Sequence, residues 1–127
     1  MKKIIAFLFL LVLLSACSED LGSIDLTASN NGGTITTSEN QTINVKLDSN
    51  VTTGYKWNMV YEPDPKIVKF ISSNYNAPVG GAVGAGGSET WQFQTVARGT
   101  TSIRLGYYRP SDPGNVAKDY QVTVTVQ

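Results

Sequence analysis

The chain has 127 residues, of which ten are basic, ten are acidic and none is histidine. The absence of histidine excludes imidazole-based acid–base catalysis and imidazole metal sites, and no run of basic residues favours a nucleic-acid partner. A single cysteine excludes a disulfide within the chain, so packing alone must stabilise the fold, and we expect no cofactor and no metal.

The N-terminus has the pattern of a bacterial export signal. Two lysines precede an apolar run of eleven residues, 4–14. As a helix, such a run spans only ~16 Å, about half of a ~30 Å hydrocarbon core, so it predicts a signal peptide and not a membrane-spanning helix. It ends in Leu14-Ser15-Ala16-Cys17, which resembles the lipobox of bacterial lipoproteins. The resemblance implies a lipid on Cys17; an ordinary cleavage site with an incidental cysteine is the alternative.

These features divide the chain into three parts. We expect a signal peptide at 1–16, the lipidated Cys17 with a polar tether at 17–23, and one domain at 24–127. Removal of Lys2 and Lys3 leaves eight basic and ten acidic residues, a net charge of −2.

The predicted location is the bacterial cell envelope, where the lipid would hold an exported, monomeric domain at a membrane. Ser18, in place of an aspartate after the cysteine, favours the outer membrane in a cell that has one.

After the tether, the ordered segments alternate apolar and polar residues with period two, as half-buried strands do. Gly, Pro, Asn and Asp fill the gaps, and no window repeats apolar residues at helical spacing. The alternating runs are 24–26, 34–36, 41–47, 55–61, 66–71, 89–96, 101–107 and 120–126.

Seven or eight short strands predict an all-β fold, an immunoglobulin-like β-sandwich of antiparallel strands. Trp57 and Trp91 are the expected core anchors. The last run, with Val122, Val124 and Val126, is expected at or near the centre of its sheet.

The carboxylate, serine and threonine side chains do not form a pattern that predicts an enzyme. The carboxylate pairs Asp112/Asp119 and Glu62/Asp64 lie among Pro, Gly and Asn, which is typical of solvated loops. No Ser or Thr has a recognisable base partner or a Gly-x-Ser-x-Gly elbow.

Three connections, 48–54, 76–87 and 109–117, are longer than a minimal turn. The first and third are expected at one end of the sandwich, whereas the sequence does not fix the end of the second. The glycine-rich second loop is not followed by Lys-Ser/Thr or by a helix, so it does not predict a phosphate site. Their sequences include Asn50-Val51-Thr52-Thr53-Gly54-Tyr55, Gly84-Ala85-Gly86-Gly87 and Arg109-Pro110.

In this order, the three motifs resemble those of the chagasin family, which inhibits papain-like cysteine proteases. The family pattern is Asn-Pro-Thr-Thr-Gly-(Tyr/Phe), Gly-x-Gly-Gly and Arg-Pro-(Trp/Phe) on an immunoglobulin-like sandwich. The flanking Trp91-x-Phe93 and Tyr107-Tyr108 also match, and the resemblance covers about residues 24–127.

The resemblance implies a reversible inhibitor that blocks the substrate cleft with three loops. Thr52 would lie nearest the catalytic thiolate, the glycine loop would run alongside the enzyme, and Arg109 would contact the rim. The implied protease-binding residues are Asn50, Val51, Thr52, Thr53, Gly54, Tyr55, Gly84, Ala85, Gly86, Gly87, Arg109 and Pro110.

Two positions depart from the family pattern. Val51 replaces the proline and so loses a φ lock, and Ser111 replaces the aromatic residue after Arg-Pro. We therefore expect weaker or narrower inhibition, unless Tyr107 or Tyr108 compensates. The alternative function is a membrane-tethered immunoglobulin-like binding or adhesion module without inhibitory activity.

Overall fold

The structure, a computed structural model, describes residues 22–80 and 84–127, which form two four-stranded sheets. The signal-peptide and lipidation predictions lie outside these residues. The predicted β-sandwich of seven or eight strands is confirmed, and the number of strands is eight. In chain order the strands are β1 (Ser23–Leu26), β2 (Thr34–Thr37), β3 (Thr42–Ser49), β4 (Lys56–Tyr61), β5 (Val68–Asn76), β6 (Gly87–Thr95), β7 (Gly99–Tyr108) and β8 (Lys118–Val126).

The strand order is β1-β3-β6-β5 in one sheet and β2-β8-β7-β4 in the other. Four pairings are antiparallel, but β1 pairs with β3 and β2 pairs with β8 in parallel. These two differ from the antiparallel arrangement that the sequence suggested. The chain passes from one sheet to the other between β1 and β2. β1 lies at the edge of the first sheet beside β3 and β2 lies at the edge of the second beside β8, and each runs in the same direction as its neighbour. A period-two pattern carries no information on direction, and the sequence therefore could not show this.

The core lies between the sheets, and both predicted anchors belong to it: Trp57 is 5% exposed and Trp91 is 7% exposed. β8 is an inner strand, as predicted, and its alternate valines are buried. The buried apolar side chains are Leu26, Ile43, Val45, Leu47, Trp57, Val68, Trp91, Phe93, Ile103, Leu105, Tyr107, Tyr120, Val122, Val124 and Val126.

Two strands depart from their expected pattern at edges of the sheets. β5 continues beyond Ile71, where the predicted run ended, to Asn76. Its polar second half lies at the edge of the sheet and pairs with β6 alone, so it shows no apolar alternation from which a strand could be predicted. In β4 the register shifts between Met59 and Tyr61, and Tyr61 is 62% exposed although the alternation placed it on the buried face.

All three long connections emerge at the same end of the sandwich, here called the loop pole. β3, β5 and β7 end there and β4, β6 and β8 begin there, with Ser49 opposite Gly87 and Lys56 opposite Tyr108. The structure thus answers the question that the sequence left open for the second loop. The opposite end, here called the far pole, carries the connections 38–41, 62–67 and 96–98.

Residues 22–80 and 84–127 contain no apolar helix of the length that a bilayer crossing requires. The same ranges contain no cluster of acidic, cysteine or histidine side chains that could hold a metal ion. The helical content in this part of the chain is two single 3-10 turns, Ala28–Asn30 and Val51–Thr53.

Candidate functional site

The first loop is a capped 3-10 turn, Val51–Thr53, at the tip between β3 and β4. The side-chain oxygen of Asn50 accepts hydrogen bonds from the Thr52 amide at 3.2 Å and from the Thr52 hydroxyl at 2.6 Å. Gly54 ends the turn with φ 80°, a left-handed conformation that favours glycine, and its amide donates to the Val51 carbonyl at 3.0 Å. Local hydrogen bonds therefore fix the shape of an exposed tip.

Both threonine hydroxyls of this tip donate their protons inside the loop. Thr52 Oγ1 donates to Asn50 Oδ1, and Thr53 Oγ1 donates to the Asn50 carbonyl at 2.6 Å. Each hydroxyl oxygen retains acceptor capacity after donating. The tip therefore offers hydrogen-bond acceptors to a partner.

The second loop is tied to the first through Asn50, whose Nδ2 donates to the Gly84 carbonyl at 3.2 Å. At the base of this loop, a Cβ on Gly87 would overlap the Asn76 carbonyl oxygen and lie 2.7 Å from the Tyr75 hydroxyl. Only glycine lets the chain close the hairpin between β5 and β6 there. Residues 81–83 lie outside the described part of the chain.

The third loop is tied to the first through Arg109. Its Nε donates to the Thr53 carbonyl at 3.1 Å, and its guanidinium lies over the Tyr55 ring, 4.7 Å from the centroid. Pro110 and Ser111 follow as exposed residues. Arg109 therefore braces the first loop, a role that the motif alone did not indicate.

An aromatic stack supports the loops from below. The Tyr107 ring lies 5.5 Å from the Tyr55 ring and 5.1 Å from the Trp57 ring, and its hydroxyl accepts a hydrogen bond from the Asn50 amide at 2.9 Å. Tyr107 is 7% exposed, so it cannot replace the aromatic side chain missing at Ser111. Compensation by Tyr108, which is half-buried, stays a prediction.

Sequence reasoning missed the role of Glu89. This side chain is 8% exposed, and its Oε2 accepts a hydrogen bond from the Trp57 amide at 2.9 Å, which joins the two sheets beneath the loops. Trp57 Nε1 in turn donates to the Asp48 carbonyl at 3.0 Å and so fixes the start of the first loop. A glutamate on the inward-facing register of β6 was the available signal, because a buried carboxylate needs a donor.

The structure thus brings all three predicted motifs into one surface. Asn50 contacts the second loop and Thr53 contacts the third, so the first loop is the centre of the arrangement. The predicted lipidation residue, Cys17, lies outside the described residues.

Comparison with known proteins gives two family matches. Residues 36–126 match the family described as chagasin family peptidase inhibitor I42. Residues 1–18 match the prokaryotic membrane lipoprotein lipid attachment site, which makes the chain an exported bacterial lipoprotein.

Individual relatives cover most of the chain. Chagasin from Trypanosoma cruzi is 31% identical over 67% of this chain and 80% of its own length. Amoebiasin-2 from Entamoeba histolytica is 31% identical over 90% of this chain and 89% of its own length. The crystal structure of the cysteine protease inhibitor EhICP2 from Entamoeba histolytica superposes with a TM-score of 0.73, at 28% identity over 83% of this chain and 96% of that one. The chain therefore belongs to the chagasin family of peptidase inhibitors.

Proposed function

We propose that this protein is a reversible inhibitor of papain-like cysteine proteases and that its three loops together fill the substrate cleft. The observation that carries the proposal is the pair of bonds that unites the motifs, Asn50 to Gly84 and Arg109 to Thr53. Loops held together before binding lose little conformational entropy on docking, which favours tight association.

The first loop is built to resist cleavage. Attack by a protease requires the oxygen of the scissile carbonyl to accept hydrogen bonds from the enzyme's oxyanion hole. In this loop the carbonyls of Asn50, Val51 and Thr53 already accept hydrogen bonds, from Thr53, Gly54 and Arg109 respectively. These three carbonyls of the exposed tip are therefore poor sites for attack by the protease.

At its apex, Thr52 would lie nearest the catalytic cysteine. The hydroxyl of Thr52 already donates its proton to Asn50, but its oxygen can still accept a hydrogen bond. The hydroxyl therefore complements an N–H donor, such as the protonated imidazole of a cysteine–histidine pair. This role rests on the shape of the turn and on the family resemblance.

The other two loops would contact the enzyme on either side of the tip. Gly84 and Gly86 are exposed, and without side chains their backbone can approach a partner closely. Arg109 and Pro110 would form the other flank, with the guanidinium also holding the tip in place.

The proposed organisation includes lipidation at Cys17, a tether at 17–23 and a monomeric inhibitory domain at 24–127. The lipoprotein match and the polar residues that follow the cysteine support it. Ser18 at the position after the cysteine favours the outer membrane in a cell that has one.

The experiment is a titration of the soluble domain, residues 18–127, into papain with a fluorogenic peptide substrate. All eight strands lie within this part of the chain. We expect competitive inhibition that dilution reverses. A domain that folds but leaves papain fully active at micromolar concentration would contradict the proposal and favour the adhesion alternative.

A further inference from the structure

The direction of β1 fixes which end of the domain leads to the lipid. β1 pairs with β3 in parallel, with Ser23 opposite Thr42, the first residue of β3. β3 runs from the far pole to the loop pole, where it ends at Ser49 opposite Gly87. The chain therefore enters the domain at the far pole, at the opposite end from the three loops.

The connection between lipid and domain is short compared with the domain itself. The six Cα–Cα steps from Cys17 to Ser23 span at most ~22 Å. The ten residues of β7, Gly99–Tyr108, run from pole to pole and extend over roughly 33 Å at ~3.3 Å per residue. An inverted domain would hold Ser23 farther from the membrane than the tether reaches.

Net charge does not pull the domain down onto the bilayer. The mature chain has a net charge of −2, as counted above, so an anionic bilayer does not attract it. The far pole itself has no basic excess. Its connections carry Lys66 and Arg98 against Glu39, Glu62 and Asp64.

We propose that the lipidated protein stands on the membrane by its far pole and presents the loop pole outward, to a protease in the aqueous phase. The inference rests on the proposed lipid at Cys17 and, for the partner, on the proposed inhibition. The anchored protein then inhibits a soluble enzyme as well as the free domain does, because the bilayer lies roughly one strand length, ~33 Å, from the loops.

Orientation can be measured without any protease. Lipidation consumes the thiol of the single natural cysteine, so Glu39→Cys at the far pole or Gly114→Cys at the loop pole supplies the sole free thiol. Both positions are exposed, and a Cβ on Gly114 has no neighbour within 4 Å. Each lipidated variant is labelled with a donor fluorophore and reconstituted into phosphatidylethanolamine–phosphatidylglycerol vesicles that contain an acceptor-labelled lipid.

We expect energy transfer to be several-fold more efficient from position 39 than from position 114. Equal transfer would show a domain lying flat, and stronger transfer from position 114 would show an inverted one; either result overturns the proposal.

Inhibition provides the second readout, with soluble papain added outside the vesicles. We expect the anchored protein and the free domain to have inhibition constants within about threefold of each other. Coupling the free Gly114→Cys domain to a maleimide lipid turns the loops toward the bilayer, and inhibition should then be lost. If the free domain inhibits and the naturally anchored protein does not, the orientation is wrong while the proposed function stands. If neither inhibits, the proposed function fails, and energy transfer still decides the orientation.

Discussion

The guanidinium of Arg109 lies over the ring of Tyr55, with its central carbon 4.7 Å from the ring centroid, while its Nε donates to the carbonyl of Thr53. One side chain of the third loop thus contacts two residues of the first. Tyr55 is in turn stacked on Tyr107, which is buried. The shape of the first loop therefore depends on the third loop and on the core beneath it.

Replacement of Arg109 tests whether this side chain acts by holding the first loop in place or only by its positive charge. Arg109→Lys keeps the charge but loses the planar group over Tyr55 and the Nε donor to Thr53. We expect Arg109→Lys and Arg109→Ala to weaken papain inhibition similarly, by about 10-fold, because the lost hydrogen bond and cation–π contact each contribute ~0.5–1 kcal/mol. Inhibition constants for the two variants check this. Full activity of the lysine variant would show that charge alone matters.

Thr52→Arg should abolish inhibition by placing a long cation at the tip of the first loop. We expect a loss on the order of 100-fold or more, as for a residue at the centre of an interface. The Tm should fall only slightly, because the side chain is exposed and the change removes one exposed hydrogen bond, from Thr52 Oγ1 to Asn50 Oδ1. Ser38→Arg, which makes the same kind of change at the far pole, is the matched control and should inhibit normally. Equal inhibition by the two variants would remove Thr52 from the interface.

Val51→Pro should restore the family pattern and strengthen inhibition. Position 51 is the first residue of the 3-10 turn, Asn50 before it is extended at ψ 94°, and the Val51 amide donates no hydrogen bond within the described residues. We expect a gain of ~0.4–1 kcal/mol in the free energy of unfolding and a slower dissociation from papain. Val51→Ala, without the φ restriction, is the control. A lower free energy of unfolding for the proline variant than for Val51→Ala would show that the backbone at position 51 does not accept proline in the unbound protein.

Gly87→Ala should weaken inhibition by moving the second loop. The added methyl group would overlap the Asn76 carbonyl, so the hairpin base must shift and the Asn50–Gly84 hydrogen bond is strained. We expect a loss of several-fold in the inhibition constant and a lower Tm. Gly114→Ala, where the methyl group meets nothing within 4 Å, should change neither. Unaltered inhibition by the Gly87 variant would mean that the base of the β5–β6 hairpin does not determine where the second loop lies.

Stability should fall at high pH because burial raises the pKa of Tyr120 from 10.0 to about 12. The phenolate forms more readily in the unfolded chain, so this contribution is complete below pH 10 and is lost as the pH rises from 10 to 12, by roughly 1–2 kcal/mol. Urea unfolding at several pH values measures it. Tyr120→Phe loses the hydrogen bond from the hydroxyl to the Thr27 carbonyl and should be less stable at neutral pH, but its stability should fall less between pH 10 and 12. Parallel pH profiles for the two proteins would contradict the assignment.

The strands and the loop motifs could be predicted from the sequence because both are local patterns. Alternation with Trp57 and Trp91 on the inward face showed where strands run, and burial confirms both anchors. Direction and edge pairing could not be predicted, since the parallel pairing of β1 with β3 depends on a change of sheet that leaves the same period-two pattern.

Within the site, residue types were predictable but contacts were not. Asn50 was expected to touch a protease, yet its side chain caps the turn and reaches Gly84, and its amide binds the Tyr107 hydroxyl. Glu89 was placed at the start of a strand without a role. Such long-range contacts, more than thirty residues apart in the chain, follow from the packing of the two sheets and not from any local sequence signal.

The central claim is that three loops at one pole form a single protease-binding surface. Backbone hydrogen exchange, compared between the free domain and its complex with papain, tests it most directly. We predict slower exchange in the complex at residues 50–55, 84–87 and 109–111, with the far-pole connections 38–41, 62–67 and 96–98 unchanged. Protection at the far pole or along the edge strand β5, with the three loops unaffected, would contradict the claim.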